Sequence, residues 1–368
     1  MTSRERCTRA FKCQPTDRLP VRLWGVDPFF RRGDETWQPL YELCEKWGID
    51  YFRNGPVTMH YEGEAPPSRS ETRDGPRPDI IETETVIETP TGPLSTLFHR
   101  NRDGSPGYTY KHYLESVEDA RRWLSIPVRQ GTLDPEPFRE FAARSGEGGL
   151  QMIGIGEAMY AIQALMGSEV FGFWLMEERD LLHELMDRAY APIEEIVKQA
   201  LAADLGDAFG WVGPELCIPP LASPAHFREY CFEYDKPLID MMHDAGKLVW
   251  VHCHGDMNPV LEGFIEMGVD CLNPIEPPPI GKLTLAEAKQ RCGGQMCLDG
   301  GIQNGDFQLL TPRQMVQRTE EVIAQGKPGH GFILCPTSDP GTWPTLNDRI
   351  IENHVAFIET AMRLAEYN

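Results

Sequence analysis

Two histidines stand two residues apart in the sequence Val251-His252-Cys253-His254-Gly255, at the end of a short apolar run. If this run is a β-strand, alternate side chains face the same side, so that His252 and His254 project together and Cys253 projects the other way. Paired imidazoles can bind zinc, which also accepts thiolate and carboxylate ligands. The alternative is a metal-free polar site, in which the histidines hydrogen-bond a substrate or a neighbouring carboxylate.

Acidic side chains and one thiol stand at the ends of other short apolar runs. The predicted metal ligands are the two histidines and this thiol: His252, His254 and Cys335. The predicted catalytic acids and bases are three carboxyl groups: Glu157, Glu215 and Asp299. Glu215 is also a candidate for a fourth metal ligand, because zinc accepts oxygen donors. Cys335 has a second interpretation as a buried packing thiol, and Glu276 is a further acid that could hydrogen-bond within the site.

The last two-thirds of the sequence alternates apolar runs with amphipathic helical patterns, which indicates a parallel sheet covered by helices. The predicted strands there are Leu150–Ile155, Ala208–Val212, Lys247–Cys253, Asp270–Asn273, Gln295–Leu298 and Gly331–Cys335. The predicted helices are Arg179–Ala203, Ser223–Asp244, Leu283–Cys292 and Pro312–Gln325. Ser223 followed by Pro224 is a typical helix start, and Pro237 predicts a kink.

Leu19–Trp24 and a weaker strand near Tyr51–His60 bring the predicted strands to eight, which favours a closed TIM-type (β/α)8 barrel. In such a barrel the carboxyl ends of the strands hold the active site, where the candidate residues would converge. An open doubly wound sheet is the structural alternative. That fold would need a glycine-rich phosphate loop after its first strand, and Trp24-Gly25-Val26-Asp27 stands there instead.

An antiparallel insertion interrupts the alternation early in the chain. Glu62–Pro78, rich in proline, glycine and arginine, predicts a loop. Glu82–Glu88 and Leu94–Arg100 then alternate with period two around a Thr-Pro-Thr-Gly turn, which predicts a β-hairpin, and Tyr108–Tyr113 could add a third strand. We interpret Asp79–Tyr113 as an insertion, placed to cover part of the site, within a single domain that comprises residues 1–368.

The charge and cysteine content limit the classes of partner. The formal net charge of -21 disfavours binding to nucleic acid or to anionic membranes, because the long-range field repels polyanions. The first residues, MTSRERCTRAFKC, show no signal peptide, and no apolar run is long enough to span a bilayer. The ten cysteines include no C-x-x-C pair and predict reduced thiols. We therefore expect a cytoplasmic protein that acts on a small molecule.

Characteristic segments occur at Arg4–Val21, Gly213–Glu215, Ser223–Gly246, Val251–Gly255 and Gly331–Pro340. Together they resemble the uroporphyrinogen-decarboxylase-like proteins, which include corrinoid-dependent methyltransferases. The resemblance implies a TIM barrel and an enzyme. The decarboxylases carry Arg-Gln-Ala-Gly-Arg after their first strand and use it on substrate carboxylates. The present sequence reads Arg-Leu-Trp-Gly-Val-Asp in that region, which argues against uroporphyrinogen as the substrate, because uncompensated charge in a pocket is costly.

The thiol-methylating members of this family bind zinc through His-x-Cys-Gly on one strand and a Cys near the chain end. His252 matches the first ligand, and His254 stands in place of the first Cys. Ser338 stands in place of the last Cys, three residues after Cys335. The resemblance implies a zinc-assisted methyltransferase that exchanges a methyl group between a small molecule and a corrinoid protein. The alternatives are a metal-free decarboxylase or lyase acting on a smaller carboxylic acid, and a non-catalytic corrinoid or tetrapyrrole carrier.

Overall fold

The computed structural model describes residues 1–341 and 346–367. Its strands are β1 (Phe52–Gly55), β2 (Thr58–Tyr61), β3 (Ser68–Asp74), β4 (Ile80–Thr89), β5 (Gly92–Asn101), β6 (Tyr108–Lys111), β7 (Gly131–Asp134), β8 (Leu150–Gly154), β9 (Ala208–Val212), β10 (Leu248–His252), β11 (Cys271–Ile275), β12 (Cys297–Ile302) and β13 (Phe332–Pro336). Its α-helices are α1 (Ser3–Phe11), α2 (Gln38–Trp47), α3 (Val117–Leu124), α4 (Glu136–Ser145), α5 (Ala158–Glu177), α6 (Arg179–Ala202), α7 (Pro224–Phe227), α8 (Glu233–Asp244), α9 (Leu261–Met267), α10 (Leu285–Cys292), α11 (Asp306–Leu309), α12 (Pro312–Gly326) and α13 (Asp348–Leu364).

Seven parallel strands form a curled central sheet in the order β1-β8-β9-β10-β11-β12-β13, with helices around it. The predicted first strand, Leu19–Trp24, makes one isolated parallel bridge, between Val21 and Leu334 of β13. On its other side, the Val21 carbonyl accepts the Asp50 N–H at 2.7 Å. Pro20 lacks an N–H group, which limits the ladder that this segment can form. The predicted TIM-like fold is confirmed, with seven full strands in the described part of the chain instead of eight.

Apolar side chains fill part of the barrel interior below its mouth, and α1 covers the amino-terminal end. Phe11 of α1 packs edge-to-face on Phe52 of β1, with ring centroids 5.4 Å apart. The Ser3 hydroxyl accepts the Tyr51 N–H directly before β1, at 3.1 Å. These contacts place α1 at the amino ends of the strands, opposite the end that holds the candidate site. A larger core lies between the sheet and the surrounding helices.

The insertion is a four-stranded antiparallel sheet in the order β3-β4-β5-β6. The predicted hairpin is present, with Thr89 opposite Gly92 at its turn, and β6 adds the third predicted strand. The prediction of a loop over Glu62–Pro78 was wrong, because this range contains β3. Every side chain of β3 is exposed, so that its sequence has no apolar alternation. Its ladder to β4 and cross-strand pairs such as Arg73 with Glu82 hold it in place.

Two other predicted elements differ from the structure. The predicted strand Tyr51–His60 divides at Pro56, which cannot donate to a ladder: β1 joins the central sheet, and β2 pairs with β7. Within the predicted helix Ser223–Asp244, Ser223 caps α7 as expected, and a π-helical turn at Arg228–Phe232 precedes Pro237. None of the described helices is both long and apolar enough to cross a membrane. All ten cysteines are free thiols.

Candidate metal centre and neighbouring cavity

Glu215, His252 and His254 meet at the carboxyl ends of two neighbouring strands. Val212, the last residue of β9, pairs with His252, the last residue of β10. The next amide, Gly213 N–H, donates to the His252 carbonyl at 2.6 Å, which keeps the loop after β9 beside the histidine. Glu215 on this loop places Oε1 3.6 Å from His252 Nε2 and accepts the His254 N–H at 3.3 Å. The parallel register therefore brings the carboxylate to both histidines.

The three side chains form a compact group that could hold a metal ion. One ligand atom from each of Glu215, His252 and His254 lies within 4.8 Å of the others. The two imidazoles meet edge-to-face, with ring centroids 4.6 Å apart. Cys253 between them is fully buried in the core formed by the sheet and the helices. The histidines thus share one side, as the alternation of a strand requires.

His252 is held by a hydrogen bond from the barrel interior. Its Nδ1 lies 2.7 Å from Asn273 Oδ1 of β11. Burial lowers the pKa of His252 to about 4, and the charges of His254 and Arg22 act in the same direction. The imidazole is therefore neutral at physiological pH and keeps a lone pair that can bind a metal or accept a proton.

His254 is held by a carboxylate on its other side. Its Nδ1 lies 3.3 Å from Oε1 of Glu276, whose Oε2 accepts the Gly255 N–H at 3.0 Å. Burial acts to lower the pKa of His254, but the hydrogen bond to Glu276 raises it overall. Burial acts to raise the pKa of Glu276, but its hydrogen bond with His254 lowers it overall. The opposite shifts indicate a mutually stabilising pair.

The donor set fits zinc. Two imidazoles and one carboxylate are among the ligand sets of catalytic zinc sites, which keep a further position for water or substrate. Each histidine has one ring nitrogen engaged by a hydrogen-bond partner, Asn273 for His252 and Glu276 for His254, which leaves the other nitrogen available. Metal-binding histidines usually have such partners. Glu215 and His254 are 31% and 35% exposed, so that the group is accessible from the barrel mouth.

The structure does not bring Cys335 into this group. Its thiol lies in the barrel interior, where burial raises its pKa well above the usual value and where Arg22 and Asp299 are its charged neighbours. β13 lies three places from β10 in the sheet, and Cys335 pairs across the ladder with Gly301 of β12. This thiol is fully buried and is not a member of the three-residue group.

Asp299 lies within β12 instead of after it. Gly300 and Gly301 both have positive φ and continue the strand to Ile302, although a Gly-Gly pair usually indicates a loop. The Asp299 carboxylate is fully buried and accepts hydrogen bonds from Arg22, Trp250 and Asn273; the distances to Oδ2 are 2.6, 3.2 and 3.0 Å. These three hydrogen bonds hold the carboxylate in the barrel interior, beneath the site.

Glu157 also lies outside the group. It is the N-cap of α5, and its side chain accepts the Tyr160 N–H. Its other oxygen is buried without a hydrogen-bond partner. Burial raises the pKa of Glu157 to about 7, and the nearby Asp235 of α8 is likewise buried, with its pKa raised. The two carboxyl groups interact with each other, and neither belongs to the three-residue group.

A cavity of about 340 Å³ adjoins the three-residue group at the barrel mouth. Its lining residues are Arg22, Leu23, Trp24, Gly25, Val26, Asp27, Phe30, Arg32, Tyr51, Phe52, Arg53, Asn54, Met152, Val212 and Trp250. The Trp24 ring stacks on His252 with centroids 4.8 Å apart, and on Trp250 at 5.5 Å. The volume is near the lower end of the range for small-molecule pockets, about 300–1,000 Å³. None of these lining residues comes from the insertion Asp79–Tyr113, which was expected to cover the site.

None of the cavity residues was among the site residues predicted from the sequence, where Arg22–Asp27 stood only as the segment in place of the decarboxylase motif. Trp24 ends the first predicted strand, so that the rule placing active sites at strand ends could have identified it. Arg53 and Asn54 lie on β1, whose short and weak pattern gave no such signal. Asn54 Oδ1 is buried without a hydrogen-bond partner and could accept a hydrogen bond from a ligand.

The fold and the site together define an α/β protein with a TIM-like barrel and a candidate metal centre at the carboxyl ends of its strands. The family model for uroporphyrinogen decarboxylase (URO-D) matches residues 153–347, which is more than half of the chain. This protein therefore belongs to the URO-D family, which confirms the resemblance found in the sequence. A comparison with curated proteins finds no match.

Among solved structures, the chain is similar to a methyltransferase from Methanosarcina mazei, with a TM-score of 0.57, 14% identity and 98% of both chains covered. A B12-independent methionine synthase from Shewanella sp. W3-18-1 is more distant, with a TM-score of 0.44, 10% identity and coverage of 65% of this chain and 69% of that one. A D-psicose 3-epimerase from Clostridium cellulolyticum H10 has a TM-score of 0.40, 12% identity and coverage of 64% and 85%. The first similarity supports the overall fold.

Proposed function

We propose that this protein is a zinc-assisted methyltransferase that exchanges a methyl group between a small molecule and a corrinoid carried by a partner protein. The observation that carries the proposal is the group of Glu215, His252 and His254 beside a small cavity. The URO-D family and the methyltransferase from Methanosarcina mazei, which shares the fold, agree with it.

Glu215, His252 and His254 would hold the zinc. When bound, zinc would supply Lewis acidity toward the thiol or other heteroatom of the methyl donor or acceptor. Trp24 and Trp250 form the cavity wall next to His252 and would exclude water from the reacting atoms. One oxygen of Glu215 would suffice to hold the metal, and the other is a candidate to accept a proton from the substrate, since the side chain is partly exposed at the mouth. A cavity of about 340 Å³ fits a compact substrate.

Metal analysis tests the ligand set directly. After incubation with zinc and removal of the excess, the wild-type protein should contain about one equivalent, and the His252→Ala and His254→Ala variants should contain little. Cys335→Ser should keep the metal, because this thiol lies outside the three-residue group. His243→Ala is the matched control, since His243 is a hydrogen-bonded histidine outside the site. A metal-free wild type, or a Cys335→Ser variant that loses as much zinc as His254→Ala, would contradict the proposed site.

Methyl transfer is tested with methylcob(III)alamin as donor and small thiols as acceptors, and with cob(I)alamin as acceptor from small methylated compounds. We expect at least a tenfold acceleration over the free corrinoid, loss of this activity with dipicolinate, and its recovery with added zinc. Fully retained activity in the chelator would overturn the role of the metal. No acceleration in either direction would overturn the proposed reaction.

Decarboxylation of a small carboxylic acid is the second candidate, because three arginines line the cavity and two of them, Arg53 and Arg32, lie outside the buried pair of Arg22 with Asp299. Arg53 binds Asp27 through Nη1 at 2.8 Å and is half exposed, and Arg32 contacts Asp339 at 3.3 Å. Either guanidinium could also bind a substrate carboxylate. Chelator-resistant release of carbon dioxide from a panel of small acids would favour this reaction over methyl transfer.

A further inference from the structure

We infer that Asn273 is a positioning residue that keeps a proton on Nδ1 of the His252 imidazole and so leaves Nε2 as the nitrogen offered to a metal. The first half of this inference concerns the metal-free chain, and only the second half rests on the proposed function. The juxtaposition that carries it is a chain of hydrogen bonds running from the barrel interior to the mouth, through Arg22, Asp299, Asn273 and His252.

The orientation of the Asn273 amide follows from its neighbours. Nδ2 lies 3.1 Å from the Asp299 carbonyl oxygen and 3.0 Å from Asp299 Oδ2. Both of these atoms can only accept a hydrogen bond, so that the NH2 group of the amide must face them. The amide oxygen then faces His252, whose Nδ1 lies 2.7 Å away. Because an amide oxygen only accepts, His252 Nδ1 must donate and must carry the proton.

Arg22 and Asp299 prevent the side-chain amide of Asn273 from flipping. Asp299 is fully buried, and its carboxylate accepts from Arg22 Nε at 3.2 Å and from Arg22 Nη2 at 2.6 Å. The guanidinium in turn lies over the Phe52 ring, 3.9 Å from its centroid. A flipped Asn273 amide would place its oxygen against the oxygens of the Asp299 carboxylate, which is unfavourable in a buried environment. Asp299 therefore acts on the site through Asn273 and is itself a positioning residue.

The position of the proton decides which nitrogen can bind a metal. With the proton on Nδ1, the lone pair lies on Nε2, which is the nitrogen 3.6 Å from Glu215 Oε1. A neutral histidine in water prefers the other tautomer, with the proton on Nε2, so that the barrel must supply the preference for Nδ1–H. Partners of this kind typically change metal affinity by about 10–100-fold when removed.

The tautomer is measured by nitrogen-15 NMR on the metal-free wild-type protein labelled with 15N-histidine, using the long-range couplings of the ring protons. His252→Ala assigns the signal by its loss. We expect the Nδ1–H pattern for His252 in the wild type and a shift toward the Nε2–H pattern in Asn273→Ala. An Nε2–H pattern in the wild type would overturn the inference without any need for a folded variant.

Asn353→Ala is the matched control for the loss of a buried amide. Asn353 is also fully buried, and its Nδ2 donates to the carbonyls of Phe307 and Leu310, outside the site. This variant should leave both the tautomer of His252 and the zinc affinity unchanged. If Asn353→Ala altered them as much as Asn273→Ala does, the effect of Asn273 would be merely structural.

Zinc affinity, measured by competition with a chromophoric chelator, is the second readout. Asn273→Ala should weaken zinc binding by about 10–100-fold and should cause no further loss in a His252→Ala background. An unchanged affinity in Asn273→Ala would contradict the link from tautomer to metal. If His252 is protonated on Nδ1 but the wild type binds no zinc, the proposed function fails and the assignment of the tautomer stands. If zinc binds but the metal-free form carries Nε2–H, the proposed function stands and this inference fails.

Discussion

At the scale of a single residue, Glu157 is a buried acid that also caps a helix. Its carboxyl group caps α5 through the Tyr160 N–H, and it is almost completely buried, with one oxygen lacking a partner. Burial raises its pKa to about 7 because the ionised form loses hydration. A buried acid of this kind holds a proton in the folded chain up to near-neutral pH. Since Glu157 lies outside the three-residue group, we propose that this proton affects stability more than catalysis.

Glu157→Gln should make the protein more stable above pH 7 and reduce the dependence of its stability on pH. The pKa of Glu157 is higher in the folded chain, about 7, than the ordinary value of 4.5. The contribution of this carboxyl group to the free energy of unfolding is therefore fully present below pH 4.5. As the pH rises through 7, the free energy of unfolding falls by roughly 2–3 kcal/mol. Glutamine stays neutral and can keep the cap. The measurement is urea unfolding at pH 5 and pH 8.

The control for this prediction is Glu136→Gln, at an exposed acid in the first turn of α4. It should leave the pH dependence of stability as it is in the wild type. An equal fall in stability between pH 5 and pH 8 for the wild type and Glu157→Gln would contradict the assignment of this proton to Glu157.

At the scale of elements, α5 shows how one residue can shape a helix. α5 joins two helical segments across Gly167, which has φ 68° and ψ 176°. A Cβ atom there would lie 2.5 Å from His112 Nε2. Glycine is needed because L-residues rarely adopt this backbone conformation. The break redirects the chain within α5, which starts directly after the barrel strand β8.

Gly167→Ala should destabilise the protein by about 1–3 kcal/mol, because it combines backbone strain with a steric clash. Gly172→Ala in the same helix is the matched control: nothing lies within 4 Å of a Cβ there. Alanine at position 172 should be neutral or stabilising, by about 0.5–1 kcal/mol. Chemical denaturation of both variants measures the difference. Equal stabilities would show that the break at Gly167 is not required by the fold.

At the scale of the whole molecule, the ends of the chain close the barrel. The Leu19 N–H donates to the Ala365 carbonyl near the chain end at 2.8 Å, and the Leu334 N–H donates to the Pro20 carbonyl at 2.9 Å. α1 covers the amino ends of the strands, with Arg6 buried against Asp50 at 2.6 Å. We propose that residues 1–368 unfold as one domain that includes the insertion Asp79–Tyr113.

Phe11→Ala tests whether α1, the barrel and the insertion unfold as one unit. Phe11 is 1% exposed, and its removal from the end of the barrel should cost about 3–5 kcal/mol. Calorimetry should show a single transition in the wild type and a single, lower transition in the variant. In hydrogen exchange, amides of β4 and β5 should lose protection together with the barrel strands. Phe173→Ala, at a side chain 61% exposed, is the control and should change little. A separate transition for the insertion would contradict the single domain.

Local patterns in the sequence determined several features of this protein. The alternation of apolar runs and helical patterns predicted the parallel sheet, and period two predicted the hairpin β4–β5. The His-x-His spacing predicted that His252 and His254 share one side, and the motifs along the chain indicated the URO-D family. These features depend on residues close in sequence, because backbone geometry sets the direction of each side chain relative to its neighbours.

Only the tertiary structure decided which distant residues join the histidines. Glu215 and Cys335 both stand at strand ends in the sequence, but only Glu215 belongs to the three-residue group. The prediction that Asp299 follows its strand failed because Gly300 and Gly301 extend β12, so that Asp299 lies in the interior and holds Asn273. The height of a side chain in a barrel depends on the register between strands, which hydrogen bonds between distant segments set and no local pattern encodes.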